Sequence, residues 1–160
     1  MNEVKFRLSQ PQLSVKTSRA SIILDMAGQR GGKTLNISLD VIEKVRSVPQ
    51  AVGFIGANTY KQLSQTTLKV CFDNWKNFAG WEKWSKHNPN GVFVFNQKPP
   101  PHFRQYQLLD SYSGTICFQN GALIFTGSLT NYLAHDGKEF GWAHLDETKD
   151  TNPEALTGVI

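Results

Sequence analysis

A glycine-rich stretch that ends in a lysine and a threonine is the part of this sequence with the clearest chemistry. It reads Ala27-Gly28-Gln29-Arg30-Gly31-Gly32-Lys33-Thr34. The pattern is close to G-x-x-x-x-G-K-[ST], with an alanine in place of the first glycine. Glycines let successive backbone N–H groups turn inward around an anion, and the start of a helix adds partial positive charge there. The stretch predicts a phosphate-binding loop, in which Lys33 reaches the phosphates and the Thr34 hydroxyl ligates Mg²⁺.

A glycine-rich turn that only links a strand to a helix is the alternative for this stretch. That alternative does not account for Lys33, because a cation at the start of a helix is unfavourable unless an anion lies nearby. We therefore favour the phosphate-binding interpretation.

A loop of this kind needs a carboxylate at the end of a neighbouring strand to complete the magnesium shell. One candidate is Asp110, after residues 106–109, and the other is the pair Asp146 and Glu147, after residues 140–145. The pair divides the labour, since Asp146 would order Mg²⁺ and Glu147 would orient and deprotonate the attacking water. An acidic surface turn is the alternative, but the loop and the acidic pair predict each other.

Hydrophobic patterning predicts alternating strands and helices around the loop. A β-rich run over 21–27 precedes it, and apolar residues recur at helical spacing over 34–48, where Pro49 ends the helix. The continuous apolar run over 51–57 is typical of a strand buried on both faces. A second helix follows, with Asn58 or Thr59 as its cap. Its predicted apolar face contains Tyr60, Leu63, Thr67, Val70 or Cys71, Trp75 and Phe78.

The second half of the chain has shorter strand signals. Strands are predicted over 92–95, 115–119 and 122–126, and Asn120-Gly121 indicates a tight hairpin between the last two. A weaker strand is predicted over 140–145. We therefore expect an α/β fold with a mainly parallel sheet flanked by helices and an antiparallel hairpin portion.

Aromatic and basic residues are interleaved in the middle of the chain. They are Trp75, Lys76, Phe78, Trp81, Lys83, Trp84, Lys86 and His87, followed by Lys98 and Arg104. Such a stretch can contact nucleic acid, but aromatic residues at helical spacing more often pack into a core, which is the interpretation we favour. Arg104, between a proline turn and a strand, is a candidate for reaching the γ-phosphate of a neighbouring subunit.

Length and composition set the remaining limits. The chain has 160 residues, which suits a single domain, and 17 Lys+Arg against 13 Asp+Glu give a mild net charge of +4. No apolar stretch approaches the ~18 residues of a transmembrane helix, so no membrane is expected. Cys71 and Cys117 have no metal-ligand spacing, and we expect both to be buried and reduced.

Residues 10–80 and 121–153 resemble the ATPase domain of the large terminase subunit, the DNA-packaging motor of tailed phages. The resemblance is carried by four stretches, 28–34, 54–60, 125–128 and 144–147. An arginine within the glycine-rich loop is typical of that family. The resemblance implies a P-loop NTPase fold of the RecA and terminase kind, with Mg²⁺-dependent ATP hydrolysis coupled to the translocation of double-stranded DNA into a procapsid.

The resemblance also implies roles for individual residues. Phosphate binding falls on Gly28, Gln29, Arg30, Gly31, Gly32, Lys33 and Thr34, magnesium binding on Thr34 and Asp146, and catalysis on Glu147 and Lys33. The family sets its loop arginine four residues before the lysine, whereas Arg30 lies three before it, so Arg30 is either a charge-stabilising finger or a brace for the loop. The family's adenine-reading glutamine matches Gln12, which Pro11 places in a helix, with Gln10 as the alternative.

The expected partners follow from the same resemblance. They are double-stranded DNA, a small terminase subunit, the portal or procapsid, and ring-forming copies of this chain, in the cytoplasm of an infected host. We expect residues 1–160 to be one ATPase domain, the front part of a longer protein, without the family's nuclease domain. The alternatives are a helicase or recombination-type ATPase, and a nucleotide-binding assembly module without turnover of its own.

Overall fold

The computed structural model of the chain describes residues 7–26, 31–135, 137–152 and 154–155. At its centre is a mixed sheet with the strand order β2-β3-β4-β1-β5. The strands are β1 (Gly53–Ala57), β2 (Phe93–Phe95), β3 (Thr115–Phe118), β4 (Leu123–Ser128) and β5 (Trp142–Asp146).

Four α-helices with defined bounds accompany the sheet among the described residues. They are α1 (Gln10–Thr17), α2 (Lys33–Ser47), α3 (Tyr60–Gln62) and α4 (Leu68–Ala79). A π-helical turn, Leu63–Thr67, joins α3 to α4, and 3-10 helices span Leu129–His135 and Thr148–Asp150. Among the residues that the structure describes, no helix is long and apolar enough to span a bilayer.

The α/β class is confirmed, but the expectation of a mainly parallel sheet is wrong. Strand β1 pairs in parallel with β4 and with β5, whereas the β2–β3 and β3–β4 pairings are antiparallel. The reason lies in the connections, because the short turn between β3 and β4 can only reverse the chain, and a parallel pairing needs a longer crossover. That turn spans residues 119–121, one residue more than predicted, and Gly121 adopts a φ of +97° there.

Strand β1 is buried along its whole length, as predicted for residues 51–57. Ile55 contributes to the core under α2 and α4, while Phe54 packs on the opposite face with Leu129. Since β1, β4 and β5 run in parallel, their carboxyl ends meet at one edge of the sheet. Ala57 is in register there with Ser128 on one side and Asp146 on the other.

The strand predicted over 21–27 does not form over the residues described. Residues 21–26 have no strand structure, and Ile22, Leu24 and Met26 are 71%, 75% and 84% exposed. A strand needs a backbone partner, and β5 is the last strand of the described sheet on its side. An apolar run alone cannot supply that partner.

The two predicted helices form close to their expected bounds. Helix α2 ends at Ser47, before Pro49, and Thr59 caps the second helical segment by accepting a hydrogen bond from the Gln62 N–H at 3.2 Å. In α4, Cys71 is fully buried and Val70 is exposed, which decides between the two residues proposed for the packing face.

The aromatic residues of the basic middle segment mostly pack inward. Trp75 is fully buried, and its ring lies 5.7 Å from that of Phe118 and 6.2 Å from that of Trp81. The neighbouring Lys76 is exposed and pairs with Glu82 at 2.8 Å. The packing interpretation of this segment therefore agrees with the structure.

Candidate functional site

The end of the glycine-rich loop lies at the start of α2. Gly32 is the residue before the helix, with a left-handed φ of +78°, and its carbonyl accepts the first helical hydrogen bond from Asn36. Glycine has no side chain to cap the first amides, so an anion can take that role. Ala27 and three predicted phosphate ligands, Gly28, Gln29 and Arg30, lie outside the described residues.

Asp146 is the last residue of β5 and is only 6% exposed. Its Oδ2 accepts a hydrogen bond from the Thr34 hydroxyl at 3.3 Å, between residues 112 positions apart in the chain. Its Oδ1 accepts from the backbone N–H of Glu147 at 3.0 Å. The fold therefore brings the last residue of the predicted phosphate loop against the first residue of the predicted acidic pair.

Glu147 follows directly and is exposed. Its φ of +53° is left-handed, a conformation that costs a non-glycine residue on the order of 1 kcal/mol and that is concentrated at functional sites. The chain therefore turns sharply at this residue as it leaves the strand. The other acidic candidate, Asp110, is exposed and ends no strand of the described sheet.

Gln12 contacts Gly32, near the end of the glycine-rich stretch. Helix α1 begins next to Pro11, and the Gln12 amide oxygen accepts from the backbone N–H of Ser9 at 2.9 Å. The Gln12 amide nitrogen donates to the Gly32 carbonyl at 3.5 Å. A Cβ on Gly32 would lie 2.1 Å from that nitrogen and would displace the Gln12 side chain, and the φ of +78° strains any residue that has a Cβ. Gln10, the alternative, is exposed.

Side-chain contacts of Lys16, Asp40 and His144 join α1, α2 and β5. Lys16 of α1 pairs with Asp40 at 3.5 Å and contacts Glu43, both on α2. His144 of β5 places its Nε2 2.9 Å from Asp40 Oδ2. We call Lys16, Asp40 and His144 the helix clamp, because they join the last turn of α1 to α2 and β5.

Acid should weaken this helix clamp. Burial alone would raise the pKa of Asp40, but the hydrogen bond with His144 and the nearby positive charges bring it below the ordinary 3.8. A carboxyl whose folded-state pKa is lowered stabilises the fold at pH values above its ordinary pKa, and this contribution is lost as the pH falls through the lowered value. We expect Asp40→Asn to cost about 1 kcal/mol of unfolding free energy at neutral pH.

Urea unfolding from pH 7 down to pH 3 measures this effect. The stability difference between the wild type and Asp40→Asn should shrink once the pH is below 3.8. The matched control is Asp73→Asn, an exposed carboxyl on α4. Parallel stability curves for the wild type and Asp40→Asn over the whole range would show that the ionisation of Asp40 contributes nothing to stability.

The structure adds residues that sequence reasoning did not assign to the site. Thr67, placed by its spacing on a packing face, donates its hydroxyl to Asp146 Oδ2 at 2.9 Å. Ser38 donates to the Thr34 carbonyl at 2.7 Å, and the Trp75 indole donates to the Ser38 carbonyl at 3.2 Å. The available signal was the position of Thr67 among apolar residues at helical spacing, whereas no comparable signal marks Ser38.

The two cysteines are buried and free, as predicted. Cys71 lies beside this network, and its Sγ is 3.4 Å from the Ser38 hydroxyl. Burial raises the pKa of the Cys71 thiol to about 12, so the thiol stays protonated and unreactive at neutral pH.

Arg104 lies at the other end of the sheet. Its guanidinium stacks over the Tyr106 ring at 4.8 Å, and its backbone N–H donates to Gln119 in the turn between β3 and β4. That turn precedes β4, whereas Asp146 lies where the parallel strands end. The structure therefore does not bring Arg104 to the acidic pair of its own chain, although its side chain is exposed.

No protein-family model, curated protein or solved structure matches this chain. The resemblance to terminase ATPase domains therefore remains a prediction that depends on the four motifs. What the site can do follows from its own donors and acceptors, which are a glycine-capped helix start, a lysine, two hydroxyl groups and two adjacent carboxyl groups.

Proposed function

We propose that this chain binds ATP with Mg²⁺ where α2 meets β5 and hydrolyses it, as a P-loop ATPase of a viral DNA-packaging motor. The observation that carries the proposal is the 3.3 Å hydrogen bond from the Thr34 hydroxyl to Asp146. Phosphate-loop ATPases need a hydroxyl from the loop and a carboxylate from a strand end at the same magnesium ion. The contact joins the two motifs that the proposal requires.

The donor set suits Mg²⁺. A hydroxyl and a carboxylate are hard oxygen ligands, and Mg²⁺ is usually held by one or two protein groups together with substrate phosphates and water. In the described part of the chain, no group of three or more His, Cys, Asp or Glu side chains could hold a metal ion. A magnesium ion here would therefore depend on the nucleotide for the rest of its shell, with Thr34 and Asp146 as the protein ligands.

The roles of the remaining residues follow from charge. The backbone amides at the start of α2 and the Lys33 ammonium group would bind the β- and γ-phosphates and stabilise the charge that grows as the γ-phosphate is attacked. Bound Mg²⁺ supplies further neutralisation of the phosphate oxygens. Glu147, exposed beside Asp146, would orient a water molecule and accept its proton.

The fold supports this proposal in part. A phosphate loop lies between a strand and a helix, and the helix is present as α2. The strand is absent over residues 21–26, so support for the P-loop class comes from the site rather than from the sheet.

The motor role is supported by the resemblance of the four motifs to the terminase family. We extend it to the family's partners, namely double-stranded DNA, a small terminase subunit, the portal or procapsid, and further copies of this chain in a ring. Exposed Arg104 would act in a neighbouring subunit of that ring. A helicase or recombination-type ATPase would use the same site, and only its response to DNA and capsid components would differ.

Calorimetric titration with a non-hydrolysable ATP analogue, with and without Mg²⁺, tests the proposal. We expect one site per chain with a Kd between about 1 μM and 1 mM, the usual range of enzyme substrates, and a clear dependence on Mg²⁺. Phosphate release from ATP, with and without linear double-stranded DNA, then measures turnover. No binding at millimolar analogue would refute the proposal, and binding without release would identify a nucleotide-dependent assembly module instead.

A further inference from the structure

We propose that Thr67 is a positioning residue of the nucleotide site, whose hydroxyl fixes the Asp146 carboxylate in the orientation that Mg²⁺ requires. This inference rests on the function proposed above. It assigns a role to a threonine that lies 79 positions from Asp146 in the chain and belongs to neither of the two motifs.

The contacts of Asp146 support this role. Thr67 is 1% exposed, and its hydroxyl donates to Oδ2 at 2.9 Å. Thr34, which is more exposed, donates to the same oxygen at 3.3 Å. The torsion that rotates an aspartate carboxyl group is broad and has no steep rotamer wells, so hydrogen bonds determine its orientation. Of the two side-chain donors, Thr67 is more deeply buried and makes the shorter hydrogen bond.

The two threonines therefore have different roles. The Thr34 hydroxyl is at the end of the phosphate loop, where its oxygen is placed to ligate the metal. The Thr67 hydroxyl lies behind the carboxylate in the protein interior, where no water competes for the hydrogen bond. Burying a hydroxyl group is unfavourable unless it is hydrogen-bonded, and Asp146 supplies the partner.

The backbone around Thr67 departs from regular α-helical geometry. Thr67 is the last residue of the π-helical turn Leu63–Thr67, in which the Leu68 N–H bonds to the Leu63 carbonyl. Such turns are rare and frequently occur at functional sites. One additional residue in a helix rotates the following side chains by about 100° about the axis. The π-turn thus sets how Thr67 and α4 face α2 and β5.

Removing only the hydroxyl group tests the inference. Thr67→Val keeps the shape of the side chain, and Thr67→Ser keeps the donor. The readout is the Mg²⁺ concentration at half-maximal binding of a non-hydrolysable ATP analogue, measured beside analogue binding in EDTA. Loss of a group that orients a metal ligand typically weakens metal affinity about 10- to 100-fold. We expect that shift in Thr67→Val, near wild-type behaviour in Thr67→Ser, and unchanged binding in EDTA.

If Thr67 only supported the fold, Thr67→Val would change both the Mg²⁺ midpoint and analogue binding in EDTA, because a distorted site would lose affinity with or without the metal. If Thr67→Val does not unfold cooperatively, Thr67→Cys is measured in its place, since a thiol is a weak donor of similar size. A Mg²⁺ midpoint equal to that of the wild type in the folded variant overturns the inference. If the wild type itself shows no Mg²⁺-dependent binding, the proposed function fails, which is a distinct result.

Discussion

Replacing Glu147 by glutamine should abolish ATP turnover while MgATP still binds. The amide has nearly the shape of the carboxylate but cannot accept the proton of the attacking water, and loss of a general base typically lowers kcat about 10²- to 10⁴-fold. Binding should survive because Glu147 is exposed and is not one of the proposed phosphate or metal ligands. Steady-state phosphate release and analogue titration on the same preparation measure the two quantities.

The matched control is Glu139→Gln, which makes the same chemical change at an exposed position between β4 and β5. It should leave both quantities unchanged. An active Glu147→Gln variant would remove the role we assign to Glu147 and would point to a different base. A variant that loses binding together with turnover would instead show that the left-handed turn at this residue, with its φ of +53°, shapes the metal site.

Replacing Lys33 by alanine should strongly weaken nucleotide binding. A hydrogen bond to a charged group contributes about 1.5–3 kcal/mol, and the ammonium group of Lys33 would contact two phosphates. We therefore expect a loss of about 3 kcal/mol, which corresponds to a roughly 100-fold weaker Kd for ATP. Titration with the non-hydrolysable analogue measures this directly, and circular dichroism checks that α2 remains helical.

Lys69→Ala, on the exposed side of α4, changes the net charge equally and should bind nucleotide like the wild type. This control separates a specific phosphate contact from the general attraction of a basic chain for an anion. Unchanged affinity in Lys33→Ala would mean that the stretch ending in Thr34 is a turn between elements, the alternative that its sequence also permits.

The helices and the central strand were predictable because their signals are local. Apolar spacing and Pro49 placed α2 within one residue of its observed bounds at both ends. The continuous apolar run over 51–57 contains β1. The β-rich run over 21–27 also predicts a strand, yet residues 21–26 do not form one. Periodicity shows which residues favour extended structure, but a strand forms only where another strand offers its backbone.

The chemistry of the site could be predicted from residue types, but the full set of residues that form the site depends on contacts between distant parts of the chain. The loop and the acidic pair were recognisable because glycine, lysine and carboxyl groups have few common uses in that order. Thr67 was visible only as part of a packing face, since its partner is a residue 79 positions away. The helix clamp could not be predicted either, because Lys16, Asp40 and His144 belong to three elements that are far apart in the chain.

Propensity, spacing and side-chain type are enough to predict the α/β class, the two helices and the candidate chemistry at Lys33, Thr34, Asp146 and Glu147, because they act over short stretches of chain. The three-dimensional fold is needed to show that half of the pairings in the described sheet are antiparallel, that Thr34 contacts Asp146, and that Thr67 donates to the same carboxylate. Those outcomes depend on which surfaces pack against each other. The packing energy is the total of many weak contacts across the whole core, and it cannot be read from any short segment of the sequence.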